Sequence, residues 1–139
     1  MPSVFTRIIE GEIPGTFVWR DPDAVAFLSI NPVRPGHTLV VPRAEVDHWI
    51  DLGTPLAEHL MVVSQTIGRA QQRAFSPVKV GLLIAGLEVP HAHLHVIPIR
   101  SESDLHLGNA RSATPEQLAA TAGAIRTALR ELGADGVSE

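Results

Sequence analysis

The segment Val89-Pro90-His91-Ala92-His93-Leu94-His95-Val96-Ile97-Pro98 carries three histidines at alternate positions. On a β-strand, residues i, i+2 and i+4 face the same way, with a rise of about 3.3 Å per residue. The spacing predicts three imidazoles lining one surface about 7 Å apart, with Ala92, Leu94, Val96 and Ile97 on the core-facing side. Such a row suits three kinds of chemistry. One neutral imidazole can attack an electrophile while its neighbours, some protonated, neutralise an anionic group. A phosphoryl group is the natural target, because its negative charge can be held by His⁺ in the transition state. Alternatively, a His-x-His pair chelates a transition metal with a third ligand brought by the fold. The third reading is a solvated polar face on an edge strand. Spacing alone leaves all three open.

Composition narrows the field. The 139 residues hold 11 Lys+Arg against 15 Asp+Glu, a net charge of −4. That length fits one domain, and the balance offers no basic stripe for nucleic acid and no polybasic membrane patch. Cysteine is absent, which excludes disulfides, thiolate zinc sites, CxxC redox chemistry and a cysteine nucleophile. Seven histidines against one lysine place any chemistry on imidazole or carboxylate. Arg7, Glu10 and Glu12 interrupt the first apolar stretch, so it does not read as a signal peptide, and no run suggests a spanning helix. A cytoplasmic protein is expected.

The histidines need elements to hold them. Phe5 to Ile9 predicts a helical turn, stopped by Gly11 and Pro14-Gly15. Residues 16–20 and Val25 to Ile30 predict a hairpin across Asp21-Pro22-Asp23, and His37 to Pro42 a third strand after Pro35-Gly36. Thr54 as N-cap with Pro55 behind it opens a helix whose apolar stripe is Leu56, Leu60, Val63, Ile67 and Ala70, ending by Ser76-Pro77. Lys79 to Ala85 and His91 to Ile99 predict two further strands. After a polar connector at 101–113, the capping box Thr114 to Gln117 opens a last helix with stripe Leu118, Ala122, Ile125, Leu129 and Leu132. The pattern predicts an α+β domain around a mostly antiparallel sheet, two helices on one face and the other face free for a site or partner.

The flanking sequence decides among the three readings. The segment VPHAHLHVIP resembles the histidine triad motif, His-x-His-x-His followed by two hydrophobic residues. AFLSINPVRPGHTLVVP is similar to that family's approach to a fourth histidine, here His37, and VFTRIIEGEIPG and DPDAVAFL are similar to its N-terminal half. The likeness runs over about residues 2 to 100. It implies the fold of the histidine triad (HIT) family: five strands in a mainly antiparallel sheet with two main helices, commonly paired as a homodimer. The HIT core would fill 1–100, with 101–139 as connector and C-terminal helix packed on the same domain.

The resemblance also implies an activity. Hint-like and Fhit-like members cleave nucleotide phosphoramidates or dinucleoside polyphosphates at the α-phosphate through a nucleotidyl-histidine intermediate. By position, His93 is the nucleophile, its Nδ1–H held by a backbone carbonyl so that Nε2 attacks. His95 and His37 hold and neutralise the phosphate oxygens, with His91 in support. The nucleoside side of a purine nucleotide such as an AMP derivative falls to Val4, Phe5, Ile8, Phe27, Leu28, Ser29 and Ile30. No cofactor is implied.

Three departures from the pattern bear on function. Ser29 stands where the family usually has Asp or Asn for the ribose hydroxyls, and it cannot span both hydroxyls as a carboxylate does. The loop at 83–89 is about three residues short, with Leu87 and Glu88 in place of a Gln and a Ser or Thr. Glu88 is a candidate general acid for the leaving group, against a solvated loop glutamate. The altered loop also keeps open a nucleotide-binding module with weak or no turnover. Finally, many bacterial relatives carry a structural zinc on two cysteines and two histidines. The matching positions are Ser3, Thr6, Glu45 and His91, so no structural zinc is expected, and none of the site residues is assigned to a metal.

Overall fold

A computed structural model describes residues 1–139. The elements are α1 (Val4–Ile9), β1 (Phe17–Arg20), β2 (Ala24–Leu28), β3 (Thr38–Pro42), α2 (Thr54–Phe75), β4 (Lys79–Leu83), β5 (Leu94–Ile99) and α3 (Pro115–Glu131). All five strands pair antiparallel in one sheet, ordered β1-β2-β3-β5-β4. This is the α+β architecture expected from the sequence.

Alternation along the strands sorts the side chains into two layers. Ala24, Ala26 and Leu28 of β2, Val40 of β3, and Leu94 and Val96 of β5 turn towards the long helices. There they pack with Leu60, Val63, Ile67 and Ala70 of α2 and Ala122, Ile125, Ala128 and Leu129 of α3. The opposite face carries Phe17, Val25, Phe27, Leu39 and Val41, and Phe5 of α1 packs onto it. This face is therefore not bare over β1 to β3, contrary to the expectation of a free surface. His95 pairs in register with Leu39 and Leu83, so it lies on the α1 side, as does Ile97 two residues on. The placing of Ile97 with Val96 on one core-facing side is corrected by the strand's own alternation.

Several boundaries move for identifiable reasons. Strand β5 begins at Leu94 rather than His91. The His91 N–H donates to the Val89 carbonyl at 2.8 Å and the Ala92 N–H to Val46 at 2.7 Å, so neither is free for the ladder. Strand β4 stops at Leu83, short of Ala85, and β2 stops at Leu28, leaving Ile30 66% exposed. Helix α2 is capped by Gly53, not Thr54: the Gly53 carbonyl already accepts the Ala57 N–H at 2.9 Å, which pulls Thr54 into the first turn. Leu132 lies past the end of α3 and is exposed, so it drops out of the apolar stripe. The connector holds two short 3-10 turns, Glu102–Leu105 and Leu107–Asn109, and another spans Trp49–Asp51.

The capping box of α3 forms as its sequence requires, with Gln117 N–H donating to Thr114 Oγ1 and Thr114 N–H to Gln117 Oε1. The last residues cover the β1 edge, where Arg20 N–H donates to Gly136 and Ser138 N–H to Val18. The other edge strand is β4. No helix is long and apolar enough to cross a membrane.

Candidate functional site

His37, immediately before β3, and His95, in β5, come from neighbouring strands, and His93 lies two residues before His95. The ring centroids of His93 and His95 are 4.8 Å apart and those of His37 and His95 5.1 Å. Phe5 presents its ring edge-on to His93 at 4.8 Å, so α1 closes the cluster from above the sheet. All three imidazoles are buried.

Hydrogen bonding fixes the tautomer of each ring. His93 Nδ1 is 2.8 Å from the His91 carbonyl, which can only accept. The His93 proton therefore sits on Nδ1 and the Nε2 lone pair is uncommitted. His37 Nδ1 accepts the Val33 N–H at 3.1 Å, so its proton is on Nε2 and is donated to His95 Nδ1 at 2.8 Å. His95 must then carry its own proton on Nε2. The cluster thus offers one lone pair, at His93, beside one N–H, at His95.

Burial sets the charge. It pushes His37 down to about 4 and His95 to about 3, with the neighbouring imidazoles adding to both. His93 is lowered as well, by burial first, while the Glu88 carboxylate pulls the other way. At neutral pH all three rings are uncharged. In the free protein His37 and His95 are therefore neutral hydrogen-bonding groups.

Gln71, which the sequence pattern did not single out, and Gly36, which it marked only as a turn, hold this pair. Gln71 of α2 is fully buried, and its Nε2 donates to the carbonyls of Gly36 and Val96 at 2.9 Å each. It clamps the residue before His37 to the residue after His95. Its position, four after Ile67 on the apolar stripe, was the available signal, since a polar residue there must find partners. Gly36 has φ +99°, and a Cβ there would meet Phe75 at 2.8 Å and Pro98 at 3.0 Å. Only glycine fits the turn that delivers His37.

His91 does not join the imidazole row. It is fully buried, with Nε2 donating to the Pro42 carbonyl at 2.7 Å and Nδ1 accepting from Ser3 Oγ at 2.7 Å. Its carbonyl, not its ring, touches His93. With both His91 nitrogens and both His37 nitrogens engaged, the row does not converge on a metal. Glu88 is exposed on the loop before the triad. Phe5 and Phe27 are buried against each other, edge to face at 5.6 Å. Val4, Ile8 and Ile30 keep accessible surface, and Ile8 lies against Gly15, which shares a groove with Ile30. Ser29 Oγ accepts from Asn31 N–H at 3.3 Å, leaving its own proton to donate. Leu28 is not brought to the site: its side chain belongs to the helix-side core.

Ser3, Thr6, Glu45 and His91 do come together. Ser3 N–H and Thr6 Oγ1 each donate to Glu45 Oε1 at 2.6 Å, and the Ser3 backbone contact leads the forces that hold the Glu45 carboxyl below its usual range. Two neutral hydroxyls, one carboxylate and an imidazole already bonded on both nitrogens do not match the thiolate, imidazole and carboxylate ligands of zinc. The residues do not fit that metal. A second grouping, Asp21, Asp23 and His59, is closed on itself. The Asp21 carboxylate accepts from Trp19, His59 and the Asp23 and Ala24 N–H groups.

Residues 10–102 match the family model described as the HIT domain. The protein named hit from Bacillus subtilis is 34% identical over 106 residues, covering 73% of each chain. Adenosine 5'-monophosphoramidase HNT1 from Saccharomyces cerevisiae is 29% identical over 71% of this chain and 63% of its own. Among solved structures, a Hit-like protein from Bartonella henselae superposes with TM-score 0.81 at 30% identity, over 91% of this chain and 95% of that one. A zinc-bound histidine triad family protein from Mycobacterium smegmatis gives TM-score 0.80 at 26% identity, over 94% of each.

Proposed function

The chain belongs to the HIT domain family, and from that premise we propose that it is a nucleotide hydrolase or nucleotidyl transferase acting at the α-phosphate of a purine nucleotide phosphoramidate or related phosphoanhydride. The observation that carries the reading is the free lone pair on His93 Nε2, held in one tautomer by the His91 carbonyl beside the His95 N–H.

In the first step His93 Nε2 attacks the α-phosphorus and forms a P–N bond as the bond to the leaving amine or phosphate breaks. The His95 Nε2–H donates to a phosphate oxygen, and His37 fixes that donor's orientation through Val33. The exposed Glu88, in proton exchange with solvent, hands the leaving group its proton. Water then attacks phosphorus and passes a proton back to Glu88, and the P–N bond breaks to restore the His93 lone pair. The base lies against the accessible apolar surfaces of Val4, Ile8 and Ile30, backed by Phe5 and Phe27. Ser29 donates a single hydrogen bond to the ribose.

Turnover of adenosine 5'-phosphoramidate tests this directly. His93→Asn should lower kcat by roughly 10³-fold or more, whereas an unchanged rate would remove His93 from the chemistry. Glu88→Gln should slow formation of the nucleotidyl-histidine in a single turnover; an unchanged rate gives the proton to solvent. A second reading, a nucleotide-binding module with little turnover, is favoured by the loop itself, where Leu87 is 94% exposed beside the exposed Glu88. Tight AMP binding without hydrolysis would select it.

The proposal extends to assembly and place. Val78 and Leu82 on the β4 edge and Met61 and Val62 of α2 are exposed around a groove of about 510 Å³. An open edge strand beside an apolar patch suits a second copy of the chain, giving a homodimer. A nucleotide substrate of this kind accords with a protein working in the cytoplasm.

A further inference from the structure

We propose that Ser3, Thr6, Glu45 and His91 form a metal-independent clasp, in which Ser3 and His91 are positioning residues for His93; the proposal rests on His93 being the nucleophile. Helix α1 has only six residues, too few to hold itself in water. The clasp caps it once and ties it to its neighbours at three points. Ser3 Oγ accepts the Thr6 N–H at 3.0 Å as N-cap, the Ser3 N–H and the Thr6 hydroxyl converge on Glu45, and the Ser3 hydroxyl donates to His91 Nδ1.

That last proton is directed by elimination. His91 Nε2–H must face the Pro42 carbonyl, which only accepts, so Nδ1 is a lone pair and requires a donor. The Thr6 hydroxyl proton is already given to Glu45. Ser3 is the donor that remains.

From the clasp two routes reach His93. His91 fixed at both nitrogens sets the direction of its own carbonyl, which receives the His93 Nδ1–H. The anchored α1 sets Phe5, whose ring packs edge-on against both His91 at 5.8 Å and His93 at 4.8 Å. A zinc at this place would tie the N-terminus to the triad through metal bonds. Here one carboxylate and two hydroxyls make the same connection by hydrogen bonds; the Pro42 carbonyl sets the His91 tautomer, and the Ser3 hydroxyl, rather than a metal, holds the ring at Nδ1.

The test is imidazole ¹H–¹⁵N spectra of the full-length protein, with kcat measured alongside. In the wild type His91 should report a single Nε2–H tautomer and His93 a single Nδ1–H tautomer. Adding zinc chloride or a chelator should leave both unchanged. Ser3→Ala keeps the backbone N–H for Glu45 but removes the donor to His91, so the His91 Nδ1 signal should shift and its Nε2–H signal broaden, the His93 Nδ1–H signal should broaden, and kcat should fall at least about tenfold. Ser3→Thr, which retains the hydroxyl and the cap, should restore all three. If Ser3→Ala does not fold, Glu45→Gln is read the same way, with broadened His91 and His93 signals expected. Unaltered His91 and His93 spectra in these variants, or stoichiometric zinc that shifts His91, would overturn the clasp. Because the spectra need no substrate, these spectral changes without any wild-type turnover would fault the hydrolase reading and leave the clasp standing.

Discussion

At His93, the proposed chemistry depends on which nitrogen holds the proton, and one backbone carbonyl decides it. The same dependence on backbone groups explains the neutral pair beside it. His37 and His95 are drawn down from 6.5 to about 4 and about 3 because burial penalises their charged forms. In the unfolded chain both return to ordinary values and bind protons that the folded chain refuses below 6.5. Their contribution to stability is therefore complete above that pH and falls as the pH drops from it towards the folded values, at about 1.4 kcal/mol per unit of displacement for each group. A urea titration series between pH 7.5 and 4 should show this decline, and it should be shallower in His95→Asn. At this scale the sequence revealed which residues assemble, His37, His93 and His95, through their spacing and their likeness to a family. It did not reveal their charge state, which depends on burial, nor that the His91 ring turns away to Ser3 and Pro42.

The elements place the histidines by means that only partly show in a pattern. The stripes on α2 and α3 and the turn signals located every major helix and strand, because burial of one face is a local and periodic demand. Boundaries were less legible where a backbone group bonds out of register. His91 and Ala92, spent on Val89 and Val46, keep the triad's first half off the strand. The side-chain clamp from α2 was legible only as a polar residue on an apolar stripe. Gln71→Leu should take this donor from the Val96 carbonyl and leave the Gly36 carbonyl with the Thr38 hydroxyl alone, at a total cost of about 1–3 kcal/mol. A lowered thermal midpoint together with a changed His37–His95 geometry in the imidazole spectrum is the expected result. Gly36→Ala should destabilise through both its left-handed φ and the contact with Phe75, by at least about 1 kcal/mol. Circular dichroism melting checks both.

For the whole molecule, the two sheet edges are treated differently. The tail from Gly136 to Ser138 covers β1, while β4 stays open beside Met61, Val62, Val78 and Leu82. The proposed homodimer makes a plain demand: Leu82→Lys should give a monomer in sedimentation velocity while leaving the far-UV spectrum intact. Nothing in the sequence pointed to that surface, because exposed apolar residues on an edge strand and a neighbouring helix become one patch only after folding. The wider claim, that this fold exists to present one imidazole lone pair to a phosphorus atom, is tested most directly by mass. The intact protein is mixed briefly with adenosine 5'-phosphoramidate, quenched, and weighed. The expected result is a gain of one adenylyl group, mapped to His93 and absent from His93→Asn. Hydrolysis proceeding at the wild-type rate in His93→Asn, or an adenylyl group found on another residue, would contradict it.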